Sequence, residues 1–572
     1  MLDNVLHFNG DRDTRDLMSD AKFFEGYSRW DDDKNRYETW EEAVTRVMNM
    51  HRKFYADKMT DELAELINEA ETLYKQKFFL GAQRALQFGG DQLIKHQMRL
   101  YNCTSSYADR AEFFGEFFYI LLCGSGTGVS AQKHHIAQLP HIQARTKQAK
   151  IFTPNDSIEG WADCADMLMS SYFVGGGKYP EYEGRRVYFD LSKIREKGSM
   201  ISGGFKAPGP EPLRRALDKI EHLLQGLVLK GITKLSPIHV YDICMHLADA
   251  VLAGGVRRSA TIFLFSPDDE EMMKAKTGNW FVENPQRGRS NNSAVIVRGA
   301  ADREQFAALM KSVKEFGEPG FVFVESESHC VNPCVEIGMF PQYEGVSGWQ
   351  GCNLTEVNGA KSNSKEAFLA ACRGASILGT LQAGYTNFSF VSETTKKIFE
   401  REALLGVSIT GWMNNPEVLL NEKILQTGAE LVKSVNKKVA AMIGINPAAR
   451  TTCCKPAGNA CTTFDTKIKT EHGGMTLKEI FDYCTDNNIN VDVDNIGDDT
   501  SFQVLKDLRV FDENNDLQDV TGLYVNGIAR LYEIEFEDGS VYKFTDHHKL
   551  KTTKGWKMVK ELSEDDEIIS FN

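Results

Sequence analysis

The chain has 572 residues, which is enough for several domains and for a sizeable buried core. Hydrophobic residues make up 42% and charged residues 26%, a composition typical of a soluble globular protein. The formal net charge of -14 argues against a surface that coats nucleic acid, although a local basic pocket could still bind phosphate. The sequence contains no secretory signal and no apolar run of membrane-spanning length, so we expect a cytoplasmic protein. The 12 cysteines form no CxxC pair, and no metal site is predicted.

The first predicted elements are helical. Apolar residues recur with the period of an α-helix between residues 41 and 89. A second apolar helix is predicted for residues 111–123, and it leads into a glycine-rich segment at residues 124–128. This segment resembles a glycine-rich loop but lacks GxGxxG spacing, so it is a weak indication of nucleotide binding.

The middle of the chain, residues 139–439, alternates between short β-rich runs and helical runs. The predicted strands are residues 260–265, 294–297 and 320–324, and the predicted helices are residues 211–229, 303–316, 366–381 and 428–442. Such alternation predicts an α/β body with parallel strands.

The pattern changes after Ala460. Residues 531–536 alternate between apolar and polar, Asp538-Gly539 provides a turn, and residues 541–544 form a returning run. An Asp-Gly pair between two alternating runs is a strong indication of a β-hairpin. We therefore predict that residues 461–572 form a small, mostly-β domain separate from the α/β body.

A short motif at residues 331–337 carries the clearest chemistry. Pro333 favours an extended conformation at Asn332, and in an extended segment Asn332, Cys334 and Glu336 would point to the same side. An amide, a thiol and a carboxylate on one face could hold a substrate, react with it and move its proton. For the motif alone, a buried cysteine beside a surface glutamate stays open as an alternative.

Several further motifs extend this interpretation. They lie at residues 101–103, 123–129, 254–260, 290–293, 332–336, 351–354 and 455–458. With these motifs, in this order, the chain resembles the catalytic subunit of ribonucleotide reductases, and more closely the adenosylcobalamin-dependent class. The resemblance covers most of residues 80–460.

The resemblance implies a role for each member of the predicted catalytic set. Cys334 corresponds to the thiol that becomes a thiyl radical and abstracts the 3′-hydrogen of the ribose. Glu336 corresponds to the base that takes the proton of the 3′-hydroxyl group, and Asn332 to the amide that orients the ribose. Cys103 and Cys352 correspond to the dithiol that reduces the 2′ carbon and closes to a disulfide.

The resemblance also implies nucleotide-binding segments. The residues that correspond to substrate or effector contacts are Arg257, Arg258, Ser259, Asn292, Ser293, Pro456, Ala457 and Gly458. The run that contains the two arginines corresponds to the loop that relays the identity of an allosteric nucleotide, with a solvated turn as the alternative. The phosphate turn departs from the family pattern, because Asn459 and Ala460 stand where two threonines are usual.

The residues that follow this turn resemble a second family. The segments 461–466 and 544–548 are similar to the first two characteristic blocks of inteins. In that family the leading cysteine, here Cys461, attacks the carbonyl group upstream of it, and a Thr-x-x-His block, here Thr545 and His548, assists. The alternative is a small β domain with a surface pair of histidines. The absence of a later histidine block favours the N-terminal half of a split intein.

The combined interpretation is a precursor of three parts. We expect an N-terminal helical region at residues 1–90, an incomplete ten-stranded α/β barrel of the ribonucleotide reductase type at residues 91–460, and a Hint-type split-intein fragment at residues 461–572. The implied partners are a ribonucleotide, preferably a triphosphate, an allosteric nucleotide, adenosylcobalamin, a thioredoxin-like reductant and a C-terminal fragment that completes both proteins. We expect the unspliced chain to be inactive as a reductase.

Three alternatives remain open from the sequence. The first is a class I reductase whose radical comes from a di-iron partner subunit. The second is a catalytically dead reductase body attached to an autoprocessing domain. The third is an allosteric nucleotide-binding module, which would leave the face formed by Asn332, Cys334 and Glu336 unexplained.

Overall fold

The structure, a computed structural model, describes residues 14–31, 33–146, 148–201, 205–252, 260–300 and 302–455, and short segments between residues 467 and 563. The chain divides into two units. One unit is Phe23–Pro456, and the other comprises Met1–Lys22 and Ala457–Asn572. None of the described helices combines the length and the apolar character needed to cross a membrane.

The N-terminal part is mainly helical, as its periodicity predicts. Its elements are α1 Thr14–Gly26, β1 Trp30–Asp31, β2 Arg36–Tyr37, α2 Trp40–Phe54, α3 Asp61–Lys75, β3 Phe79–Leu80, α4 Gln83–Phe88 and α5 Asp91–Lys95. Thr39 and Glu42 form a capping box at the start of α2, in which each side chain accepts a hydrogen bond from the backbone N–H of the other residue. Thr60 caps α3 by accepting a hydrogen bond from the backbone of Leu63.

The following part alternates strands and helices. Its elements are β4 Cys103–Tyr107, α6 Phe113–Cys123, β5 Gly126–Ser130, α7 Lys133–Ile136, β6 Ala149–Phe152, α8 Ile158–Tyr172, β7 Arg186–Phe189, β8 Met200–Ile201, β9 Phe205–Lys206, α9 Glu211–Leu229, α10 Pro237–Leu252, β10 Thr261–Phe265, α11 Glu270–Met273, α12 Trp280–Glu283, β11 Asn291–Val297, α13 Arg303–Phe316 and β12 Gly320–Val324. The three strands predicted in this region are confirmed as β10, β11 and β12.

The last part of the larger unit begins with short hairpins and ends with long helices. Its elements are β13 Cys330–Val331, β14 Gly338–Met339, β15 Gln342–Tyr343, β16 Val346–Ser347, β17 Gln350–Asn358, α14 Lys365–Ala383, α15 Glu393–Glu402, β18 Leu405–Thr410, α16 Pro416–Leu419 and α17 Glu422–Ile443. The two helices predicted here are confirmed as α14 and α17, each with several further residues.

One eight-stranded sheet organises this unit. Its order is β12-β11-β10-β5-β4-β17-β18, and β3 also pairs with β17. Within this order, each strand from β12 through β11, β10 and β5 to β4 is parallel to its neighbour, and β17 is parallel to β18. β4 and β17 are antiparallel, so two parallel groups of strands meet there with opposite directions. The first group is β12, β11, β10, β5 and β4, and the second group is β17 and β18. The segment after α17 continues the second group, because Thr452 forms a parallel bridge with Val407 of β18.

The glycine-rich segment at residues 124–128 is a correction to the sequence analysis. Gly124 ends α6 in the left-handed conformation, with φ of 87°, and residues from Gly126 onward form the buried strand β5. The glycines therefore serve a helix end and a packed strand rather than a phosphate-binding loop. A positive φ is available to glycine at little cost because it has no Cβ atom.

The described strands beyond residue 460 pair antiparallel with one another, in sheets of four, three, two and two strands. They are β19 Lys467–Thr470, β20 Gly473–Thr476, β21 Asn490–Asn495, β22 Ser501–Leu505, β23 Arg509–Phe511, β24 Leu517–Asp519, β25 Gly522–Val525, β26 Leu531–Glu535, β27 Val541–Thr545, β28 Lys549–Thr552 and β29 Gly555–Met558. The predicted hairpin is confirmed in its two strands, because β26 pairs with β27 from Leu531 opposite Thr545 to Glu535 opposite Val541.

Candidate active site

A hairpin loop carries the three residues of the predicted motif. β13 and β14 pair through Cys330 opposite Met339 and Val331 opposite Gly338. The six residues between the strands, 332–337, form what we call the Cys334 loop. The segment that leads into the hairpin is held near the end of β5. Gln132, which follows β5, donates a hydrogen bond of 2.8 Å from Nε2 to the carbonyl oxygen of Glu327, which precedes β13. The loop is thus fixed to the first parallel group of strands.

Two glycines of β5 allow the hairpin to lie directly on the sheet. A Cβ atom at Gly128 would lie 1.7 Å from the carbonyl oxygen of Val331, and one at Gly126 would lie 2.9 Å from Cγ of Pro333. Both distances are far below van der Waals contact, so a side chain at either position would displace the hairpin. This close packing requires glycine at Gly128 in particular.

The expected extended conformation of the Cys334 loop is wrong. The backbone N–H of Val335 donates a 2.9 Å hydrogen bond to the carbonyl oxygen of Asn332, which closes a turn with Pro333 at its second position. Val335 has a φ of 70°. Proline is favoured at the second position of such turns because its ring fixes φ. The three residues therefore do not alternate on one face: Asn332 is buried, whereas Cys334 is exposed at the tip.

The two predicted members of the dithiol are direct neighbours in the sheet. Cys103, the first residue of β4, lies opposite Cys352 of β17, where the two parallel groups meet. Opposite residues in an antiparallel pair have Cα atoms about 4.5–5.5 Å apart, which lies within the range that a disulfide spans. Both cysteines are free thiols and buried. They belong to one apolar cluster that also contains Ile337 of the Cys334 loop.

The third thiol interacts with this pair. The neighbouring Cys103 thiol and partial burial raise the pKa of Cys334 well above its usual range. Cys334 lowers the pKa of Cys103, but Cys352 and burial outweigh this and raise the pKa to about 12. Cys334 and Cys103 are therefore protonated near neutral pH. A protonated thiol is the state from which a hydrogen atom can be removed.

The carboxylate of Glu336 has one bound oxygen and one free oxygen. Its Oε1 atom accepts a hydrogen bond of 2.8 Å from Nζ of Lys455, and its side chain is 6% exposed. Its Oε2 atom is buried and has no hydrogen-bond partner among the described residues. Buried carboxylate oxygens in proteins usually have a partner, so this atom is suited to bind a donor of a ligand.

Asn332 shows the complementary arrangement. Its Oδ1 atom accepts a hydrogen bond of 3.0 Å from the backbone of Ile337, which fixes the orientation of the amide. Its Nδ2 atom is buried and lacks a partner in the described part of the chain. The Cys334 loop therefore offers a free donor, a free acceptor and an exposed thiol within five residues, as a polyhydroxylated substrate would require.

Other predicted site residues lie elsewhere or outside the described residues. Asn292 and Ser293 are buried in β11, which is separated from β4 by β10 and β5, so the structure does not bring them to the Cys334 loop. Thr545 is the last residue of β27, of which only the backbone is described. The residues that lie outside the described ranges are Arg257, Arg258, Ser259, Pro456, Ala457, Gly458, Cys461 and His548.

Lys455 is a residue of this site that the sequence did not predict. In the sequence it belongs only to a phosphate-turn motif, and 119 positions separate it from Glu336. No local pattern indicates a contact between residues so distant in the chain. The described residues also contain no group of three or more histidine, cysteine, aspartate or glutamate residues that could hold a metal ion.

Comparison with known structures identifies the class of fold. A crystal structure of a B12-dependent (class II) ribonucleotide reductase superposes with a TM-score of 0.62 over 76% of this chain and 72% of the other, at 21% sequence identity. At this identity the likeness shows the fold alone. The fold is therefore of the ribonucleotide reductase α/β barrel type. Its sheet contains two parallel groups of opposite direction, and a hairpin loop packs against this sheet.

Sequence comparison leads to particular relatives. A family model described as ribonucleotide reductase alpha domain matches residues 13–87, in the N-terminal helical region. The adenosylcobalamin-dependent ribonucleoside-triphosphate reductase of Lactobacillus acidophilus is 25% identical, over 76% of this chain and 70% of its own length. The enzyme of the same name from Lactobacillus gasseri is 26% identical, over 67% of this chain and 60% of its own length.

Proposed function

We propose that this chain carries the catalytic residues of an adenosylcobalamin-dependent ribonucleoside-triphosphate reductase. The observation that supports this most is the meeting of three free thiols from separate segments. Cys103 and Cys352 are paired across β4 and β17, and the Cys334 thiol of the hairpin loop is close enough to shift the pKa of Cys103. Reduction of an unactivated alcohol carbon needs both a hydrogen-abstracting group and a two-electron donor, and these thiols can supply both.

The arrangement fits adenosylcobalamin. Cys334 is exposed at the tip of its loop, whereas Cys103 and Cys352 are buried. A radical generator can therefore reach one thiol without reaching the reducing pair. When bound, adenosylcobalamin supplies the radical that removes the hydrogen atom of a thiol.

Each residue of the site then has a defined task. Cys334, as a thiyl radical, takes the 3′-hydrogen of the ribose and later returns a hydrogen atom to it. Glu336 Oε2 accepts the proton of the 3′-hydroxyl group, and Asn332 Nδ2 donates a hydrogen bond to the ribose. Cys103 and Cys352 give two electrons and two protons, so that the 2′-hydroxyl group leaves as water and a disulfide forms. The sum is one ribonucleotide and two thiols converted to one deoxyribonucleotide, one water and one disulfide.

The test is a reduction assay on the protein purified from its native source. The protein is captured by its N-terminal part. Ribonucleoside triphosphate, a dithiol and adenosylcobalamin are supplied, and deoxyribonucleotide is measured. We expect product only when adenosylcobalamin is present, and none from the Cys334→Ala variant. Product without the cofactor would favour a class I enzyme, and equal activity of Cys334→Ala and the wild type would overturn the assignment of Cys334. Diphosphate substrate in parallel decides the phosphorylation state.

A second function, protein splicing, is favoured by the C-terminal unit. Its described segments are antiparallel strands, and the hairpin of β26 and β27 ends at Thr545, the first residue of the Thr-x-x-His block. We propose that the Cys461 thiol attacks the carbonyl carbon of Ala460, so that a thioester forms as the peptide bond to the Cys461 nitrogen breaks. A serine or cysteine nucleophile of a C-terminal partner fragment then attacks this thioester, and the Cys461 thiol leaves as Ala460 joins the partner's sequence.

Peptide mass spectrometry of the protein in its native source tests the splicing proposal. We expect peptides that run from residues 458–460 into a sequence absent from this chain. Such peptides would also identify the missing fragment. If every junction peptide continues from Ala460 into Cys461, the splicing proposal fails and the domain stays attached.

A further inference from the structure

We propose that Lys455 is a positioning residue of the active site, which holds one oxygen of Glu336, leaves the other oxygen free for substrate, and provides the positive charge beside the Cys334 thiol. The role towards substrate rests on the proposed reductase function. The electrostatic role towards the thiol does not, because it depends only on the charge of Lys455 in its ion pair with Glu336, two residues from Cys334.

Lys455 is fixed by the sheet rather than by the Cys334 loop. Its backbone N–H donates a hydrogen bond of 3.2 Å to Oγ of Ser408, near the end of β18. Two residues earlier, the backbone of Cys453 donates a hydrogen bond of 3.1 Å to the carbonyl oxygen of Val407. The lysine therefore extends from the second parallel group of strands, whereas Glu336 belongs to the hairpin that packs on the first group.

The ion pair therefore links the Cys334 loop to the opposite half of the sheet. The Nζ atom of Lys455 lies 2.8 Å from Oε1 of Glu336, with side chains 21% and 6% exposed. A charge-assisted hydrogen bond in such a shielded place is stronger than one at the surface. Because only Oε1 is bound, the contact fixes the carboxylate while its buried Oε2 atom stays available.

Five titratable groups surround this lysine. Burial lowers the pKa of Lys455, but the negative forms of Cys103, Glu336 and Cys334 outweigh it and raise the pKa above its usual value. Glu356 of β17 and Cys453 are also close, since each feels the charge of Lys455. The ammonium group therefore stays charged among two carboxylates and three thiols.

The charge lies near the thiol at the loop tip, because Glu336, the ion-pair partner of Lys455, is two residues from Cys334. The Cys103 thiol and partial burial raise the pKa of Cys334, Lys455 lowers it, and Glu336 adds a smaller raising effect. Loss of the lysine charge would raise the pKa of Cys334 further, whereas loss of the Glu336 charge would lower it. An ion pair that only stabilised the fold would not produce these opposite effects.

The test is the pH dependence of Cys334 alkylation by iodoacetamide in the full chain, quantified on the Cys334 peptide by mass spectrometry. We expect Lys455→Gln to move the profile by about one unit to higher pH, because a neighbouring opposite charge shifts a pKa by about one to three units. At a given pH, alkylation would then be roughly tenfold slower. We expect Glu336→Gln to move the profile to lower pH. The profile of the double variant should lie between those of the two single variants. Lys455→Arg keeps the charge and the wild-type profile.

A lysine in an exposed ion pair provides the matched control. Lys438 pairs with Glu62, with side chains 50% and 57% exposed, and Lys438→Gln should leave the alkylation profile unchanged. Circular dichroism melting shows whether each variant is folded. A wild-type profile in folded Lys455→Gln, together with a shifted profile in Glu336→Gln, would overturn the proposal.

The role towards substrate has a separate readout. In the active enzyme, Lys455→Gln should lower kcat at least about tenfold with a smaller change in KM, since it acts on the group that accepts a proton. Lys455→Arg should recover most of kcat. A changed KM with unchanged kcat would contradict the positioning of Glu336. A shifted alkylation profile in a protein that reduces no ribonucleotide would leave the electrostatic assignment intact and refute the reductase function.

Discussion

Gly128 determines how close the Cys334 loop lies to the sheet. A Cβ atom there would lie 1.7 Å from the carbonyl oxygen of Val331, in the strand that leads into the loop. A backbone oxygen cannot rotate away as a side chain can, so the whole hairpin would have to shift. The position of Cys334 therefore depends on the absence of a side chain in a neighbouring strand.

The Gly128→Ala substitution should destabilise the larger unit and impair the active site. Overpacking of this kind costs about 1–3 kcal/mol of the free energy of unfolding. We expect chemical unfolding at a lower denaturant concentration and faster alkylation of Cys103, which the displaced loop would uncover. Gly226→Ala is the control, because a Cβ atom at Gly226 in α9 would meet nothing within 4 Å. That variant should be as stable as the wild type or slightly more stable. Equal stability of Gly128→Ala and the wild type would show that the hairpin does not lie on β5.

His51 makes the stability of the larger unit dependent on pH. It is fully buried in α2, its Nδ1 atom lies 3.1 Å from the hydroxyl group of Tyr385, and burial lowers its pKa to about 3. An unfolded histidine has a pKa near 6.5. The stability that His51 contributes is therefore fully present above about pH 6.5 and is lost as the pH falls towards 3.

The His51→Gln variant should lose this pH dependence. The wild type should be the more stable protein near pH 7, and its advantage should decrease by roughly 3 kcal/mol between pH 7 and pH 4. Urea unfolding at a series of pH values measures the difference. The exposed His141 serves as control, since its replacement by glutamine should leave the slope unchanged. An identical slope for wild type and His51→Gln would contradict the burial of a neutral imidazole.

At the scale of elements, Glu116 joins α6 to the strand that carries Cys352. Its Oε2 atom accepts a hydrogen bond of 3.0 Å from Nε1 of Trp349, the residue before β17, and pairs with Arg110. Its Oε1 atom accepts a hydrogen bond of 3.3 Å from the backbone of Ser392, at the start of α15. One buried carboxylate therefore connects three elements around the second parallel group.

The Glu116→Ala variant should be strongly destabilised. Burial lowers the pKa of Arg110, but Glu116 and Asp109 outweigh it and raise the pKa, so the arginine stays charged. Removing one partner of a buried ion pair costs about 3–5 kcal/mol, and Arg110 would keep only Asp109 as a counter-charge. Thermal unfolding measures the loss. Glu270→Ala, which breaks an exposed pair with Lys274, should cost less than about 1 kcal/mol. Similar losses for both variants would argue against a buried network at Glu116.

Elements with a strong local pattern were predictable from the sequence. Short β-rich runs located β10, β11 and β12, and the Asp-Gly turn located the hairpin of β26 and β27. The conformation of the Cys334 loop was not predictable in this way, because the turn at Pro333 and the positive φ of Val335 are set by packing on β5. The contact of Lys455 with Glu336 was also inaccessible, since it depends on where β18 lies in the sheet.

At the scale of the whole molecule, the two parallel groups of strands meet at the dithiol. Cys103 belongs to the first group and Cys352 to the second, and β4 and β17 run antiparallel at this boundary. The Cys334 loop packs on the first group, and Lys455 reaches it from the second. The proposed chemistry therefore depends on the assembly of both parallel groups of strands, because no single described segment contains all the residues of the site.

The most direct test of the account is a single turnover without external reductant. The reduced protein from its native source is mixed with adenosylcobalamin and ribonucleoside triphosphate, and both the deoxyribonucleotide and the disulfides are quantified. We predict close to one product molecule per chain and a new disulfide between Cys103 and Cys352, with neither in the Cys334→Ala variant. Product without this disulfide, or product from the Cys334→Ala variant, would contradict the central claim that these three thiols perform the reduction.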